Sequence, residues 1–97
     1  MIAGITIAVI ASWYGPGFHG NLTASGERFN SHAATAAHKS LPFGTKLRVC
    51  HSTCEVVTIN DRGPFIPGRS LDLSEGTARR IGLHSSGVGQ VQVTRLN

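Results

Sequence analysis

Acidic side chains are scarce in this chain: Glu27, Glu55, Asp61, Asp72 and Glu75 are all there are. Chemistry that needs a carboxyl group therefore has few candidates. Apolar runs are short too. The longest, residues 2–11, falls well below the ~20 residues of a membrane-spanning helix. It also lacks the basic flank of a signal peptide. Its β-branched centre, Ile5-Thr6-Ile7-Ala8-Val9-Ile10, reads as a first strand, with Met1 a truncated start and any export signal outside the sequence. There is no internal repeat, no Gly-rich phosphate loop, no Gly-x-Ser-x-Gly elbow and no His-Glu-x-x-His helix. Those absences argue against a nucleotide-phosphate site, a hydrolase-type serine and a zinc-peptidase helix. Only two cysteines occur, Cys50 and Cys54. They either clip a tight hairpin as a disulfide or supply half of a zinc site. No second pair completes four ligands, which favours the disulfide and with it an oxidising compartment.

What is present suits one small domain, residues 1–97, with room for a single core. Twelve Gly and four Pro imply many tight turns, as in an all-β domain. The net charge is +4, but the basic residues are scattered and only Arg79 and Arg80 are adjacent. Nucleic-acid binding calls for a denser patch, so the expectation is a monomer with weak attraction to an anionic polymer. Strands are expected over about 5–13 and 55–59, which are β-branched and apolar, and over 45–49 and 90–96, which alternate at period two. Residues 18–32 read as a long polar loop, 33–38 as a helical turn or strand entry, and 60–68 as a Gly- and Pro-rich loop. One helix is expected over 73–81, capped by Ser74, with Glu75 at its start, Arg79 and Arg80 near its end, and Gly82 as its stop. A closed barrel would leave such short strands no exposed edge.

Among the acids, Glu55 falls in a strand, Glu75 opens the helix, and Asp72 is placed to cap or turn the chain before it. Asp61 ends an apolar strand and opens the loop Asn60-Asp61-Arg62-Gly63-Pro64-Phe65. Catalytic groups often sit at such strand ends, although an Asx-turn explains the same residue. Arg62 is placed to pair with it or to meet an anionic ligand. Of the five His, His38 follows the small-residue run 33–37, and Glu27 lies in a polar loop. Neither stands out on that basis alone. Aromatic residues flank turns, where they either stack on sugar rings or close the barrel ends.

Taken in order, the segments Ala11-Ser12-Trp13-Tyr14-Gly15-Pro16-Gly17-Phe18-His19-Gly20, Thr23-Ala24-Ser25-Gly26-Glu27-Arg28-Phe29-Asn30, Thr35-Ala36-Ala37-His38, Leu41-Pro42-Phe43-Gly44-Thr45, Ile59-Asn60-Asp61-Arg62-Gly63-Pro64-Phe65 and Gly68-Arg69-Ser70-Leu71-Asp72-Leu73-Ser74 resemble the rare lipoprotein A family of septal-ring lytic transglycosylases. The resemblance spans nearly the whole chain. It implies a six-stranded double-psi β-barrel, the fold of barwin and expansin domains, in an extracytoplasmic compartment. It implies cleavage of peptidoglycan glycan strands between N-acetylmuramic acid and N-acetylglucosamine, with closure of a 1,6-anhydro ring. By motif position Asp61 would be the general acid/base and His38 and Glu27 its polar partners. Tyr14, Ser25, Arg62 and Phe65 would contact the glycan. No cofactor or metal is implied. A wall-loosening module of the expansin type, which binds without cleaving, is the competing reading. A β-1,4-glucan hydrolase would need a second carboxylate, for which Asp72 is the only spare. The family's lipidated Cys and C-terminal peptidoglycan-binding domain do not occur in this sequence, and the Cys50–Cys54 hairpin is not part of the family pattern.

Overall fold

The computed structural model describes residues 1–97, the side chain of Pro16 excepted. Six strands alternate with loops and one helix: β1 (Thr6–Tyr14), β2 (Thr35–Ala37), β3 (Lys46–Cys50), β4 (Cys54–Asp61), β5 (Leu71–Ser74), α1 (Glu75–Ile81) and β6 (Val88–Arg95). They close into a barrel in the order β1-β5-β2-β4-β3-β6. Two neighbouring pairs, β1 with β5 and β2 with β4, run parallel, and the other pairs run antiparallel.

Period-two alternation builds the core. Leu47 and Val49, Val57 and Ile59, Leu71 and Leu73, and Val91 and Val93 point inward and are fully buried, as is Ala11. Successive strand residues face opposite sides, so the residues between them face outward. The helix closes the barrel with Ala78 and Ile81, joined by Leu83, all without solvent exposure.

The expected barrel and the single helix are both present, with some shifts. Residues 71–74 are a strand, so the helix begins at Glu75 and not at Leu73. Leu71 and Leu73 pair inward against β1 and β2, and that ladder outweighs local helix preference. Asp72 is accordingly a strand residue and neither a cap nor a turn. Ser74 does cap the helix: its Oγ accepts the Thr77 N–H, and Gly82 ends the helix at φ 88°. Residues 35–37 resolve as a strand, and β4 extends two residues beyond the expected end, through Asp61. Cys50 and Cys54 are joined by a disulfide across the β3–β4 hairpin.

Candidate active site

The register of the barrel lines up four outward-facing residues. Ser12 of β1 pairs with Asp72 of β5, Asp72 with Ala37 of β2, and Ala37 with Asp61 of β4. Neighbouring strands lie about 4.8 Å apart. The two aspartates are therefore roughly 10 Å apart at the backbone, two strand spacings, with Ala37 between them in the register.

Asp61 owes its place in this row to an irregularity. Ala36 pairs with Ile59 but Ala37 pairs with Asp61, so Asn60 is an extra residue in β4. Strict alternation after inward Ile59 would send Asn60 outward and Asp61 into the core. The bulge reverses this, a common device for re-aiming a side chain beside an active site. Asp61 Oδ1 then accepts two backbone N–H groups, Ala24 at 2.9 Å and Arg62 at 2.9 Å. Its Oδ2 has only a long contact, 3.5 Å, from the Tyr14 hydroxyl. One oxygen is fixed by the backbone, and the other is met only by that tyrosine hydroxyl.

The loop carrying Glu27 is docked on this end of β4. Ser25 N–H donates to the Asn60 carbonyl at 3.3 Å, while Ala24 holds Asp61. The Ser25 hydroxyl meets Thr23 Oγ1 at 2.8 Å and donates to Glu27 Oε1 at 3.2 Å. Glu27 is thus linked to Asp61 through Ser25 and Ala24, not by direct contact, and it stays exposed.

Tyr14 stands on the same face, with its ring stacked on buried Phe29 at a centroid distance of 4.5 Å and edge-on to Phe18 at 5.8 Å. Burial, then the Asp61 and Asp72 carboxylates, push its hydroxyl far above the ordinary tyrosine range. It stays a neutral hydrogen-bond donor. Asp72 accepts from the Ser12 hydroxyl at 3.2 Å. Burial raises its carboxyl; Ser12 and Arg69 oppose that rise, and Asp61 adds to it.

His38 follows β2 directly, and its backbone N–H donates to the Asp61 carbonyl at 3.2 Å. Its Nδ1 accepts the backbone N–H groups of Ser40 at 3.1 Å and Leu41 at 3.0 Å. Arg62 does not pair with Asp61. Its Nη1 donates to the His38 and Leu41 carbonyls at 3.2 and 2.8 Å, and its guanidinium lies 4.0 Å over the Phe43 ring. It braces the His38 turn. Phe65, 76% exposed, projects from the loop after Asp61. Among the described residues no group of three His, Cys, Asp or Glu is placed to hold a metal ion.

Sequence reasoning missed the bulge and the place of Asp72 in the row. The alternation Leu71-Asp72-Leu73-Ser74 was the available signal, but four residues are too few to outweigh the helix beginning beside them.

A family model described as lytic transglycolase matches residues 6–93. The chain is 65% identical over 85 residues to the probable endolytic peptidoglycan transglycosylase RlpA of Synechocystis sp., covering 84% of this chain and 26% of that one. It is 48% identical over 93 residues to the endolytic peptidoglycan transglycosylase RlpA of Campylobacter jejuni, covering 93% of this chain and 34% of that one. It therefore spans about a quarter to a third of the length of these relatives. Among solved structures it is similar to a Clavibacter michiganensis expansin, with TM-score 0.77, 22% identity and coverage of 96% of this chain and 51% of that one. It is also similar to a Streptomyces papain inhibitor, with TM-score 0.78, 15% identity and coverage of 98% and 97%. At those identities the likeness establishes the fold, a double-psi β-barrel, and not an activity.

Proposed function

The chain belongs to the lytic transglycolase family, and from that premise we propose that it cleaves peptidoglycan glycan strands without water, with Asp61 as the general acid and then the general base. The supporting observation is the divided environment of the Asp61 carboxylate. Oδ1 is held by two backbone N–H groups, so the mobile proton belongs on Oδ2, whose one contact is the long one from the Tyr14 hydroxyl. That oxygen protonates the glycosidic oxygen as the bond from the muramyl C1 to it breaks. The muramyl 6-hydroxyl then bonds to C1 and returns its proton to Oδ2. One group serves both steps, and the acid is regenerated. A second carboxylate to activate water is not required, in contrast to an inverting hydrolase.

The other residues shape and hold the face. Glu27 and Ser25 set the loop whose Ala24 N–H orients Asp61, and Ser25 and Glu27 stay exposed to meet the glycan. Tyr14 supplies a neutral hydroxyl beside Oδ2, and Phe65 an exposed ring on which a sugar can stack. Arg62 supports binding through the turn it braces. The reading places the protein in the cell envelope, outside the cytoplasm, where the disulfide is stable.

The test is digestion of purified glycan strands with mass analysis of the new ends. An anhydro end, lighter by one water than the hydrolytic product, is expected. Asp61→Asn should cut cleavage by about 10²–10⁴-fold, since its Oδ1 can keep both backbone hydrogen bonds while the amide cannot transfer the proton. Glycan binding should persist and the melting temperature should move by a few degrees at most. Wild-type protein that binds strands and leaves them intact would instead place it with the wall-loosening modules.

A further inference from the structure

His38 has one ring nitrogen with two partners and one with none. Nδ1 receives the N–H groups of Ser40 and Leu41, at 3.1 and 3.0 Å. A proton on Nδ1 would point at two other N–H groups, so Nδ1 must present its lone pair. A neutral imidazole carries its single proton on the other nitrogen in that case. That nitrogen, Nε2, has no hydrogen-bond partner among the described residues, and the side chain is half-exposed, one residue beyond Ala37 in the Asp72–Ala37–Asp61 row.

We propose that His38 is held as the neutral Nε2–H tautomer and acts on the glycan as a hydrogen-bond donor, never as an acid or a base. Its target is a neutral acceptor oxygen, a hydroxyl or N-acetyl carbonyl, on a sugar next to the bond that Asp61 protonates. The proposal rests on the transglycosylase reading above and assigns His38 a definite part in it. The ring has no lone pair to spare: that of Nδ1 is taken by the two N–H groups, and Nε2 bears the proton. Forming imidazolium would require a proton on Nδ1 and would break both hydrogen bonds.

The surroundings act in the same direction. Burial, then the cations Arg62 and Lys39, disfavour a positive charge on the ring. Asp61 meets this residue through its backbone carbonyl, which accepts the His38 N–H. Arg62 in turn binds the carbonyls of His38 and Leu41, fixing the turn that supplies the donors to Nδ1. The whole proton cycle is thereby left to Asp61.

Long-range ¹H–¹⁵N correlation spectra of the wild-type protein test the tautomer directly and need no activity. We expect a protonated Nε2, an unprotonated Nδ1, and a ring that stays neutral as the pH falls through the ordinary histidine range. An Nδ1–H tautomer, or imidazolium at neutral pH, overturns the proposal. Adding glycan strands stripped of stem peptides to the Asp61→Asn protein should shift the Nε2–H resonance; an unmoved resonance on a strand that binds overturns it. In cleavage assays, His38→Ala should lose up to about tenfold, the usual cost of one hydrogen bond to an uncharged acceptor. His38→Gln, whose amide can present an N–H in place of Nε2–H, should retain well more activity than His38→Ala and the same shape of pH profile as wild type. An acidic limb present in wild type and missing from His38→Gln would show the ring titrating as a base and would refute the donor role. Should wild-type protein cleave nothing, the functional reading fails, while the tautomer and the Nε2–H shift on binding are still decided by the spectra.

Discussion

Asp61 and Asp72 face the same side of the barrel with different partners, and the difference is measurable. Asp61 is met by two backbone N–H groups. Asp72 has the Ser12 hydroxyl, and burial raises its carboxyl above the ordinary aspartate value. A raised value means that the folded protein keeps this proton where the unfolded chain has released it. The contribution of Asp72 to stability is therefore fully present below the ordinary aspartate value, about pH 4, and is lost as pH rises through the raised one. Asp72→Asn removes that loss and still accepts from Ser12. Its melting temperature should match or exceed that of wild type near pH 7, and the gap should close toward pH 4. A variant less stable than wild type near neutrality would show that the Asp72 charge is well paired. His38 has the opposite sign: its lowered value gives stability above the ordinary histidine range that disappears as pH falls through the lowered one. Asp61 was legible in the sequence because its motif and strand-end position both marked it. Asp72 was not, because its role depends on which strands flank it.

The helix α1 shows how one residue can serve two elements. Ser74 is the last residue of β5 and the N-cap of α1. Its Oγ accepts the Thr77 N–H at 3.2 Å and donates to the Ala33 carbonyl. Ser74→Ala removes the cap, worth about 1 kcal/mol, and leaves the Ala33 carbonyl without this donor. A domain of this size should then melt at least ~4–8 °C lower, as thermal denaturation can check. The cap was legible because Ser before Glu is a local signal. The strand ahead of it was not, because residues 71–74 are extended only through pairing with β1 and β2. The disulfide is likewise a local feature, with Cys50 opposite Cys54 across a hairpin and a separation of 4 in sequence. Chain-entropy arguments give a loop this short about 2 kcal/mol, the low end for disulfides. It lies at the start of β4, and Asp61 lies at the end. Reduction should lower the melting temperature modestly and leave strand cleavage intact. Thiol titration of the unreduced, denatured protein should find no free cysteine.

At the scale of the molecule the barrel depends on long-range closure. β1 lies between β5 and β6, and β6 bridges β1 and β3, so the two ends of the chain meet. Deleting residues 88–97 would leave β1 and β3 with open edges and remove Val91 and Val93 from the core. The truncated chain should show no cooperative unfolding transition; a sharp melt would mean that the remaining strands can close without β6. Local sequence already specifies the all-β class, the strands with long alternation, the helix with its caps, the hairpin cysteines and the motif around Asp61. Each of those is written in residues a few positions apart, where period, capping chemistry and turn preference act. The assembled barrel alone sets the row Ser12–Asp72–Ala37–Asp61, the bulge at Asn60 that turns Asp61 outward, the turn of Arg62 away from Asp61, and the two N–H groups that fix the His38 ring. Those follow from strand order and register, which come from packing the inward side chains of six strands at once, and no local stretch of sequence contains that information.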